Sequence, residues 1–487
     1  MSIIVWKTIN WIQVEFRVKR YQTRIYKASR DNNSAKVRCL QKRLLRSFDA
    51  KLMAVRHVTT LNKGKKTPGI DKKIFVTDSQ KGKLVQKLKL DGKVLPTKRV
   101  YIEKPEKEDK RVLSILIMED RAKQALCLLA LGPEWEARFE SNSYGFQVNR
   151  QCHCAIESIF INLQNTSGNK GFHKYILNVD VSECFDKIDH NYLLTKLETI
   201  PEIENQVRMW LKADIFGEYQ ANKSDRISNR IQDTWQGGEI PLLLASIALH
   251  GMENHLKDWI CTKPSLGKTN TYSKNAKRKS LAIISYANAF VIMHKEKSII
   301  QEAKEKIAKW LLDGPHLEIS EAKTSIVDSN EGFDFLGFSI ITLARVRTKA
   351  KIYPSKRSQV TLLFEVQNII KKNRSASTYN LILKLRPVII GWANYFRFSE
   401  CQKVFRKLTH LIQQKLRAWV FRRDTRNGKM TVKQRYFPNG KTYIYEGTRH
   451  QDNWILTGRK LYKNGRMKEI WLPNMSWVKS KKWVKQK

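Results

Sequence analysis

Residues 285–293, which read SYANAFVIM, are the part of the sequence from which the fold can be argued most directly. Two apolar runs, 281–286 and 290–293, lie on either side of Asn288, a pattern typical of a β-hairpin with a short turn. A hairpin tip is a suitable place to present acidic side chains to a metal ion, but this tip carries none. The sequence therefore predicts a hairpin and raises the question of whether its tip has lost catalytic residues.

The charge of the chain points to a polyanionic partner. Its 487 residues include 91 Lys and Arg against 45 Asp and Glu, a net charge of +46. Such a surplus repels itself unless a polyanion neutralises it, and nucleic acid gains further because bound phosphates release counterions. A membrane surface is the rival partner, but no segment approaches the roughly 20 apolar residues that span a bilayer. The length predicts about two to four domains.

Cysteine usage indicates a reducing environment. The seven cysteines show no spacing of a disulfide framework. Cys152-His153-Cys154 is the one cluster of possible metal ligands, but it lacks the two-residue gap of zinc sites and no second pair follows. We therefore expect buried, reduced thiols. The start, MSIIVWKTINW, fits neither a signal peptide nor a transit peptide, so we expect the protein to act where it is translated.

Residues 8–57 are predicted to form two basic helices. Apolar residues recur at helical spacing in the second of them: Val37, Leu40, Leu44, Phe48 and Leu52. Cations occupy its other faces: Lys36, Arg38, Lys42, Arg43 and Arg46. A solvated face is one interpretation, but the absence of matching acids favours a face that binds phosphates.

A second basic helix is predicted near residue 410. Its apolar stripe consists of Phe405, Leu408, Ile412, Leu416 and Trp419. The cations that lie off this stripe are Lys403, Arg406, Lys407, Lys415 and Arg417. Beyond about residue 425, turn signals separate short strand-like runs. The chain ends SWVKSKKWVKQK, which is either a frayed basic tail or a segment that stacks on bases and contacts phosphates.

Taken in order, several motifs resemble those of group II intron-encoded proteins, the reverse transcriptase/maturase family. NWIQVEFRVKRYQTRIYKA and TPGID resemble the family's N-terminal region, and RVYIEK and MEDRAKQAL resemble its fingers. NSYGF, ILNVDVSECFDKIDH, QGG, ALHGME, LEISEAKT and FDFLGF are similar to palm motifs. RPVIIGWANYF is similar to the signature of the thumb, or maturase domain X. The resemblance covers nearly the whole chain.

The resemblance implies an α+β fold, the right hand of fingers, palm and helical thumb. We expect a basic N-terminal helical extension over 1–75, fingers and palm over 76–345, the thumb over 346–425, and a basic C-terminal segment over 426–487. This last segment resembles a shortened DNA-binding region. We do not expect the family's His-Asn-His endonuclease within 425–487, which hold one histidine, His450, and no cysteine.

The family's polymerase site uses two magnesium ions held by three palm carboxylates, and its hairpin tip reads Y-A-D-D. Here Asp180 keeps the first acid, whereas Asn288 and Ala289 occupy the positions of the other two. Asn288 offers at most one neutral carbonyl oxygen and Ala289 none, so two dications would repel each other without compensation. We therefore expect no competent catalytic set, and metal binding at Asp180 that is weak at best. Three nearby acids could substitute as metal ligands: Glu183, Asp186 and Asp189. For Asp186 and Asp189, helix capping or solvation is the better interpretation.

Four further positions match the family's nucleotide contacts: Lys104, Arg111, Phe185 and Lys323. Phe185 corresponds to an aromatic sugar gate, but core packing suits it at least as well, and Lys323 fits a surface charge equally. Trp392 and Tyr395, in GWANYF, can stack on RNA bases. Packing between the thumb helices is the alternative for both rings.

The resemblance favours a group II intron maturase that binds intron RNA and assists its splicing without reverse transcription. Such a protein needs no cofactor of its own, because the intron RNA uses Mg²⁺. The C-terminal segment is a candidate DNA contact, and no membrane partner is expected. The alternative is an RNA-directed DNA polymerase that acts in intron mobility through substitute metal ligands. The abundance of Lys, Asn and Ile, with the habit of the family, points to a plastid, or else to a bacterial cytoplasm.

Overall fold

The computed structural model describes residues 5–103, 110–145, 150–164, 173–181, 184–213, 215–217, 240–263, 273–343, 350–462 and 465–481. The chain forms two compact units, the first made of 1–158 and 175–326 and the second of 159–174 and 327–487. Helices and strands occur in both, which confirms the predicted α+β class. The finer domain boundaries expected at 75, 345 and 425 remain predictions.

Three helices, and not two, begin the first unit: α1 (Trp11–Arg30), α2 (Ser34–Arg46) and α3 (Phe48–Arg56). The side chains of Asn10 and Asn33 cap α1 and α2 by accepting hydrogen bonds from backbone N–H groups. Ser47 is extended, at φ −62° and ψ 128°, and therefore divides the second predicted helix. Phe48 begins a new helix and is 51% exposed, so its expected place on the buried stripe is wrong.

A long buried helix organises these N-terminal elements. After α4 (Asp78–Lys87), the antiparallel strands β1 (Thr97–Glu103) and β2 (Lys110–Ile115) lead into α5 (Met118–Arg138). The helices α1, α2 and α3 all pack against α5, whose Leu126, Leu131 and Trp135 are fully or almost fully buried. A short strand, β5 (Ile215–Gly217), pairs in parallel with β1.

The central sheet carries the predicted hairpin. Its strands are β3 (Ser143–Tyr144), β4 (Tyr175–Asp180), β6 (Ala282–Tyr286), β7 (Ala289–His294) and β8 (Ser325–Asp328), in the order β3-β6-β7-β4-β8. The strands β6 and β7 are joined by Ala287 and Asn288, which confirms the hairpin expected from SYANAFVIM. The centre of the sheet is largely apolar, because Phe290, Val291 and Ile292 of β7 are buried.

Helices alternate with these strands in chain order. They are α6 (Cys152–Asn162), α7 (Cys184–Lys187), α8 (His190–Leu197), α9 (Pro201–Leu211), α10 (Ile240–Leu249), α11 (Met252–Thr262), α12 (Lys274–Ser280) and α13 (Lys297–Asp313). On α13 the predicted stripe Ile299, Ala303, Ile307 and Leu311 is buried, and α13 packs against β4 and β7. Amphipathic spacing thus places this helix correctly on the sheet.

The second unit is mainly helical. The antiparallel strands β9 (Phe333–Phe335), β10 (Phe338–Thr342) and β11 (Ala350–Pro354) precede α14 (Lys356–Lys372), α15 (Thr378–Phe396), α16 (Gln402–Arg423) and α17 (Lys429–Tyr436). Two hairpins follow: β12 (Thr442–Tyr445) with β13 (Thr448–Gln451), and β14 (Thr457–Leu461) with β15 (Met467–Trp471). The apolar stripe predicted for α16 is confirmed, since Phe405, Leu408, Ile412, Leu416 and Trp419 are all buried.

Two findings bear on the environment of the chain. None of the seven cysteines, all of which lie in the described residues, forms a disulfide bond, but only Cys127, Cys184 and Cys401 are buried, so the expectation of buried thiols is wrong for the other four. Cys39 is exposed because it lies on a solvent-facing side of α2. Among the helices in the described ranges, none combines the length and apolarity that crossing a membrane requires.

Adding one methyl group at each of two glycines in the second unit should have opposite effects on stability. A Cβ at Gly458 in β14 would lie 2.5 Å from the backbone nitrogen of Tyr379 at the start of α15. A Cβ at Gly391 inside α15 would meet nothing within 4 Å. We expect Gly458→Ala to destabilise the protein by about 1–3 kcal/mol through overpacking. Gly391→Ala should stabilise it by about 0.5–1 kcal/mol through lower chain entropy. Thermal unfolding of the two variants checks this, and equal shifts would contradict the packing of β14 on α15.

Candidate functional site

The central sheet brings the three predicted palm positions together. Asp180 ends β4 and pairs with Ala289, the first residue of β7, and Asn288 precedes Ala289 in the turn. The backbone of Asn288 also fixes the strand end, because its carbonyl accepts a 2.9 Å hydrogen bond from the Val181 N–H. Ala287 holds the turn with a positive φ of 55°, which is uncommon for a residue with a side chain. Asp180, Asn288 and Ala289 therefore lie side by side at one end of β4 and β7.

Both oxygens of the Asp180 carboxylate accept hydrogen bonds from neighbouring side chains. The amide Nδ2 of Asn288 lies 3.0 Å from Asp180 Oδ1 and 3.2 Å from the Val181 carbonyl oxygen. The ammonium of Lys323, in the short helical turn just before β8, lies 2.9 Å from Asp180 Oδ2. The side chain of Asp180 is 28% exposed and that of Lys323 is 63% exposed, so the site opens to solvent.

This arrangement reverses the polarity that a metal site needs. Asn288 presents its amide N–H groups to Asp180, and not the carbonyl oxygen that a magnesium ion would require. Lys323 supplies the positive charge that balances Asp180. No group of three or more His, Cys, Asp and Glu side chains suitable for a metal occurs in the described parts of the chain. In this geometry Asp180 and Lys323 form a hydrogen-bonded ion pair that solvent can reach.

One of the other candidate acids, Asp189, has a structural role in the described residues. Asp189 caps α8, since its Oδ1 accepts a 2.6 Å hydrogen bond from the Tyr192 N–H, as the capping interpretation predicted. Glu183 and the side chain of Asp186 lie outside the described residues. Among the predicted nucleotide contacts, Lys104 lies outside them too. The backbones of Arg111, in β2, and Phe185, in α7, are described, but their side chains are not.

The basic face of α2 has the predicted exposure. All five of its cations are exposed, whereas Val37, Leu40 and Leu44 are buried. The helix contains no acid, so nothing on it offsets these charges. We name the surface formed by Lys36, Arg38, Lys42, Arg43 and Arg46 the α2 basic face. Its role in RNA binding remains a prediction.

Two of the five predicted cations of α16 do not face away from the unit. Lys415 donates a 2.8 Å hydrogen bond to Gln367 Oε1 on α14. The guanidinium of Arg417 lies 3.5 Å from the ring centroid of Trp454, and burial lowers its pKa. Helical spacing shows that a residue lies off the apolar stripe, but it does not reveal what packs beside that residue. The exposed cations of the first turns of α16 are Lys403, Arg406 and Lys407.

The two aromatic residues of GWANYF take part in a cluster inside the second unit. Trp392 packs 4.3 Å from Phe396 and 6.0 Å from Phe405, measured between ring centroids. Tyr395 stacks on Phe338 at 5.4 Å and donates a 3.0 Å hydrogen bond to the Leu336 carbonyl oxygen. These contacts agree with the packing alternative for both rings, and base stacking by them remains a prediction.

Replacing Asn288 tests whether its amide stabilises Asp180. Asn288→Asp removes the donor and sets two carboxylates side by side, so we expect a loss of about 1–3 kcal/mol at neutral pH. Repulsion raises the pKa of the new pair above its unfolded value, so the variant should gain stability as the pH falls from 7 towards 5. The temperature of thermal unfolding of Asn288→Asp should also become dependent on the Mg²⁺ concentration.

Asn288→Ala is the matched control, because it loses the same hydrogen bonds without adding charge. We expect its thermal unfolding to be insensitive to Mg²⁺ and nearly insensitive to pH in this range. A Mg²⁺ response of Asn288→Ala equal to that of Asn288→Asp would contradict the ion-pair geometry.

Three family models match successive parts of the chain. The N-terminal domain of reverse transcriptase matches residues 6–88, and reverse transcriptase (RNA-dependent DNA polymerase) matches 102–340. The group II intron, maturase-specific domain matches 361–437. These matches follow the order of the motifs and support the right-hand fold of fingers, palm and thumb.

Relatives of this chain occur in bacteria and in Euglena. Maturase-like protein 1 of Euglena gracilis is 24% identical over 403 residues, covering 81% of this chain and 77% of that protein. The group II intron-encoded protein LtrA of Lactococcus lactis is 28% identical over 408 residues, covering 72% of this chain and 65% of LtrA. Protein YkfC of Escherichia coli is 27% identical over 312 residues, covering 58% of this chain and 78% of that protein.

The three family models match in the order expected, and the similarities to maturase-like protein 1 and LtrA point to the same family. The chain belongs to the group II intron-encoded reverse transcriptase/maturase family.

Proposed function

We propose that this protein is a group II intron maturase that binds intron RNA and promotes its splicing without reverse transcription. The observation that carries this proposal is the state of Asp180, whose two oxygens accept hydrogen bonds from Asn288 and Lys323. The positions that supply two further carboxylates in the family hold an amide and a methyl group. The palm then serves as a scaffold.

Electrostatics disfavours polymerisation at this site. Two magnesium ions bring four positive charges, and they require oxygen ligands from the protein as well as from phosphates. Here one carboxylate is already neutralised by an ammonium 2.9 Å away. Metal binding would first have to displace Lys323 and turn the Asn288 amide. The remaining single negative charge would not offset the repulsion between the two ions.

The RNA-binding part of the activity needs no palm acids. Group II RNA folds against the repulsion of its own phosphates, and a cationic protein that binds only the folded form shifts the equilibrium by mass action. At a hundredfold excess of protein over its Kd, this contributes about 2.7 kcal/mol. The intron RNA would supply its own Mg²⁺ for the splicing chemistry, so the protein requires no cofactor.

The competing function is RNA-directed DNA polymerisation in intron mobility. The match of residues 102–340 to reverse transcriptase and the retention of Asp180 favour it. Primer extension separates the two functions.

We also propose that residues 426–487 bind DNA as a second partner. We propose a plastid as the location of the protein, or alternatively a bacterial cytoplasm.

The α2 basic face should contribute directly to RNA affinity. Reversing Lys42, Arg43 and Arg46 to Glu should weaken binding of group II intron RNA by tenfold or more at about 0.15 M salt. The slope of log affinity against log salt concentration should also become less negative by roughly 2–3. Filter binding over a salt series measures both values. The matched control reverses Lys297, Lys306 and Lys309, which are exposed on the acid-containing helix α13. Equal losses in the two variants would show a non-specific charge effect.

Splicing should depend on the thumb and not on the palm carboxylate. Neutralising Lys403, Arg406 and Lys407 to Gln should slow protein-assisted splicing at low Mg²⁺ by several-fold or more, because three phosphate contacts are lost. Asp180→Asn should splice at the wild-type rate, since the proposed function needs no palm carboxylate and Lys323, at 63% exposure, can be hydrated instead. A time course of intron splicing with each variant measures both effects.

A control variant and a primer-extension assay complete this test. Neutralising Arg426, Lys429 and Lys468 removes the same charge from exposed positions elsewhere in the second unit and should leave splicing much less affected. Wild-type protein should not extend a primer on an RNA template with Mg²⁺ or Mn²⁺. Extension that Asp180→Asn abolishes would establish the polymerase function instead.

A further inference from the structure

A pocket of about 500 Å³ lies in the second unit between α14 and α16. The two helices run in the same direction there, since Lys415 contacts Gln367 and, one turn later, Trp419 contacts Asn373. The volume lies within the range of small-ligand pockets in proteins. None of the sequence motifs pointed to this pocket, because its two walls are separated by about one helix of intervening chain.

The pocket is strongly cationic. Its lining includes five basic residues and no acid: Lys371, Arg374, Lys415, Arg422 and Arg423. Within the described parts of the chain, none of the five forms an ion pair with a carboxylate. The C-terminal ends of α14 and α16 each contribute about half a negative charge, which together offsets only about one of these cations. The remaining surplus of positive charge favours an anionic ligand.

The pocket also has an apolar floor. Ile370, Ala418 and Trp419 line it together with the aliphatic stems of the cations. A phosphate group alone is fully polar and would not use such a floor, whereas an unstacked nucleobase is flat and largely apolar on its faces. An anionic ligand that carries a planar ring fits both the charge and the walls.

The stacking partners are held in place without a ligand. The Trp419 indole N–H donates a 3.3 Å hydrogen bond to the Asn373 carbonyl oxygen. The guanidinium of Arg423 lies 4.5 Å from the Trp419 ring centroid and donates a hydrogen bond to the Ala376 carbonyl oxygen. A guanidinium fixed against an aromatic ring is pre-organised to stack on a base with its other face. Little side-chain entropy is then lost when the ligand binds.

We propose that this pocket binds one unpaired nucleotide extruded from the RNA, with its base over Ala418 and Arg423 and its phosphate against Lys371, Arg374 and Arg422. This inference rests on the proposed RNA-binding function and adds to it a local recognition site. It predicts that the protein distinguishes an RNA stem with a bulged nucleotide from a fully paired stem of the same length.

The test uses short synthetic RNA stems. One stem is fully paired, and four others carry a single bulged nucleotide, one for each base. Affinities are measured at one fixed salt concentration, and the readout is the ratio of bulged to paired affinity. A partly unfolded variant lowers both affinities equally and leaves this ratio unchanged. We expect wild-type protein to prefer at least one bulged stem by about tenfold, the effect of one stacked base.

Two pairs of variants locate the preference. Ala418→Trp fills the pocket at an exposed helical position without changing charge, and should reduce the ratio to about one. Its control is Leu383→Trp, which enlarges a 52% exposed side chain on α15 outside the pocket and should keep the wild-type ratio. Lys371→Gln should lower the affinity for the preferred bulged stem more than Lys372→Gln, its exposed neighbour outside the pocket.

The source of the affinity is checked by competition. A nucleoside monophosphate should displace the bulged stem at lower concentration than inorganic phosphate, because only the nucleotide carries a base. Equal binding of paired stems and all four bulged stems, or an unchanged ratio in Ala418→Trp, would overturn the pocket proposal. If group II intron RNA binding is intact in that case, the proposed maturase function stands. If wild-type protein binds no RNA, both proposals fail.

Discussion

Repulsion within a net charge of +46 is the constraint that shapes this protein. Each cation must be solvated, paired, packed on an aromatic ring, or left to contact a polyanion. Lys123 in α5 is almost fully buried and donates to Asp91 and to the Lys93 carbonyl oxygen, 2.8 Å from each. Lys196 donates to the carbonyl oxygens of Ala248 and His250, and burial lowers its pKa to about 8. Such cations stabilise the fold and are unavailable to RNA.

The cations proposed to bind RNA differ from these in their surroundings and not in their residue type. The α2 basic face is exposed on a helix without acids, and the first turns of α16 present Lys403, Arg406 and Lys407 to solvent. Further along α16, Arg417 has the same spacing relative to the apolar stripe but lies over Trp454. The proposed attraction to RNA and the internal packing would thus use the same helix at different turns.

The palm keeps its sheet intact although the side chains at the hairpin tip differ from those of the family. The strands β4, β6 and β7 still place Asp180 opposite the hairpin tip. An amide in place of a carboxylate changes the tip from a cation ligand to a hydrogen-bond donor, and Lys323 then completes the charge balance. The sheet depends on the buried Phe290, Val291 and Ile292, so the chemistry of the tip can change without loss of the fold.

The sequence by itself determined the features that depend on local spacing. These are the SYANAFVIM hairpin, the buried stripes of α13 and α16, and the absence of acids at the hairpin tip. It left undecided what depends on a local change of backbone direction or on neighbours distant in the chain. Ser47 divides a helix despite continuous apolar spacing, because its extended backbone redirects the chain. The packing of Trp392 and Tyr395 depends on Phe338, Phe405 and the Leu336 carbonyl. Lys323 meets Asp180 across 143 positions. Periodicity records which side of an element is apolar, but only the tertiary structure decides which side chains meet.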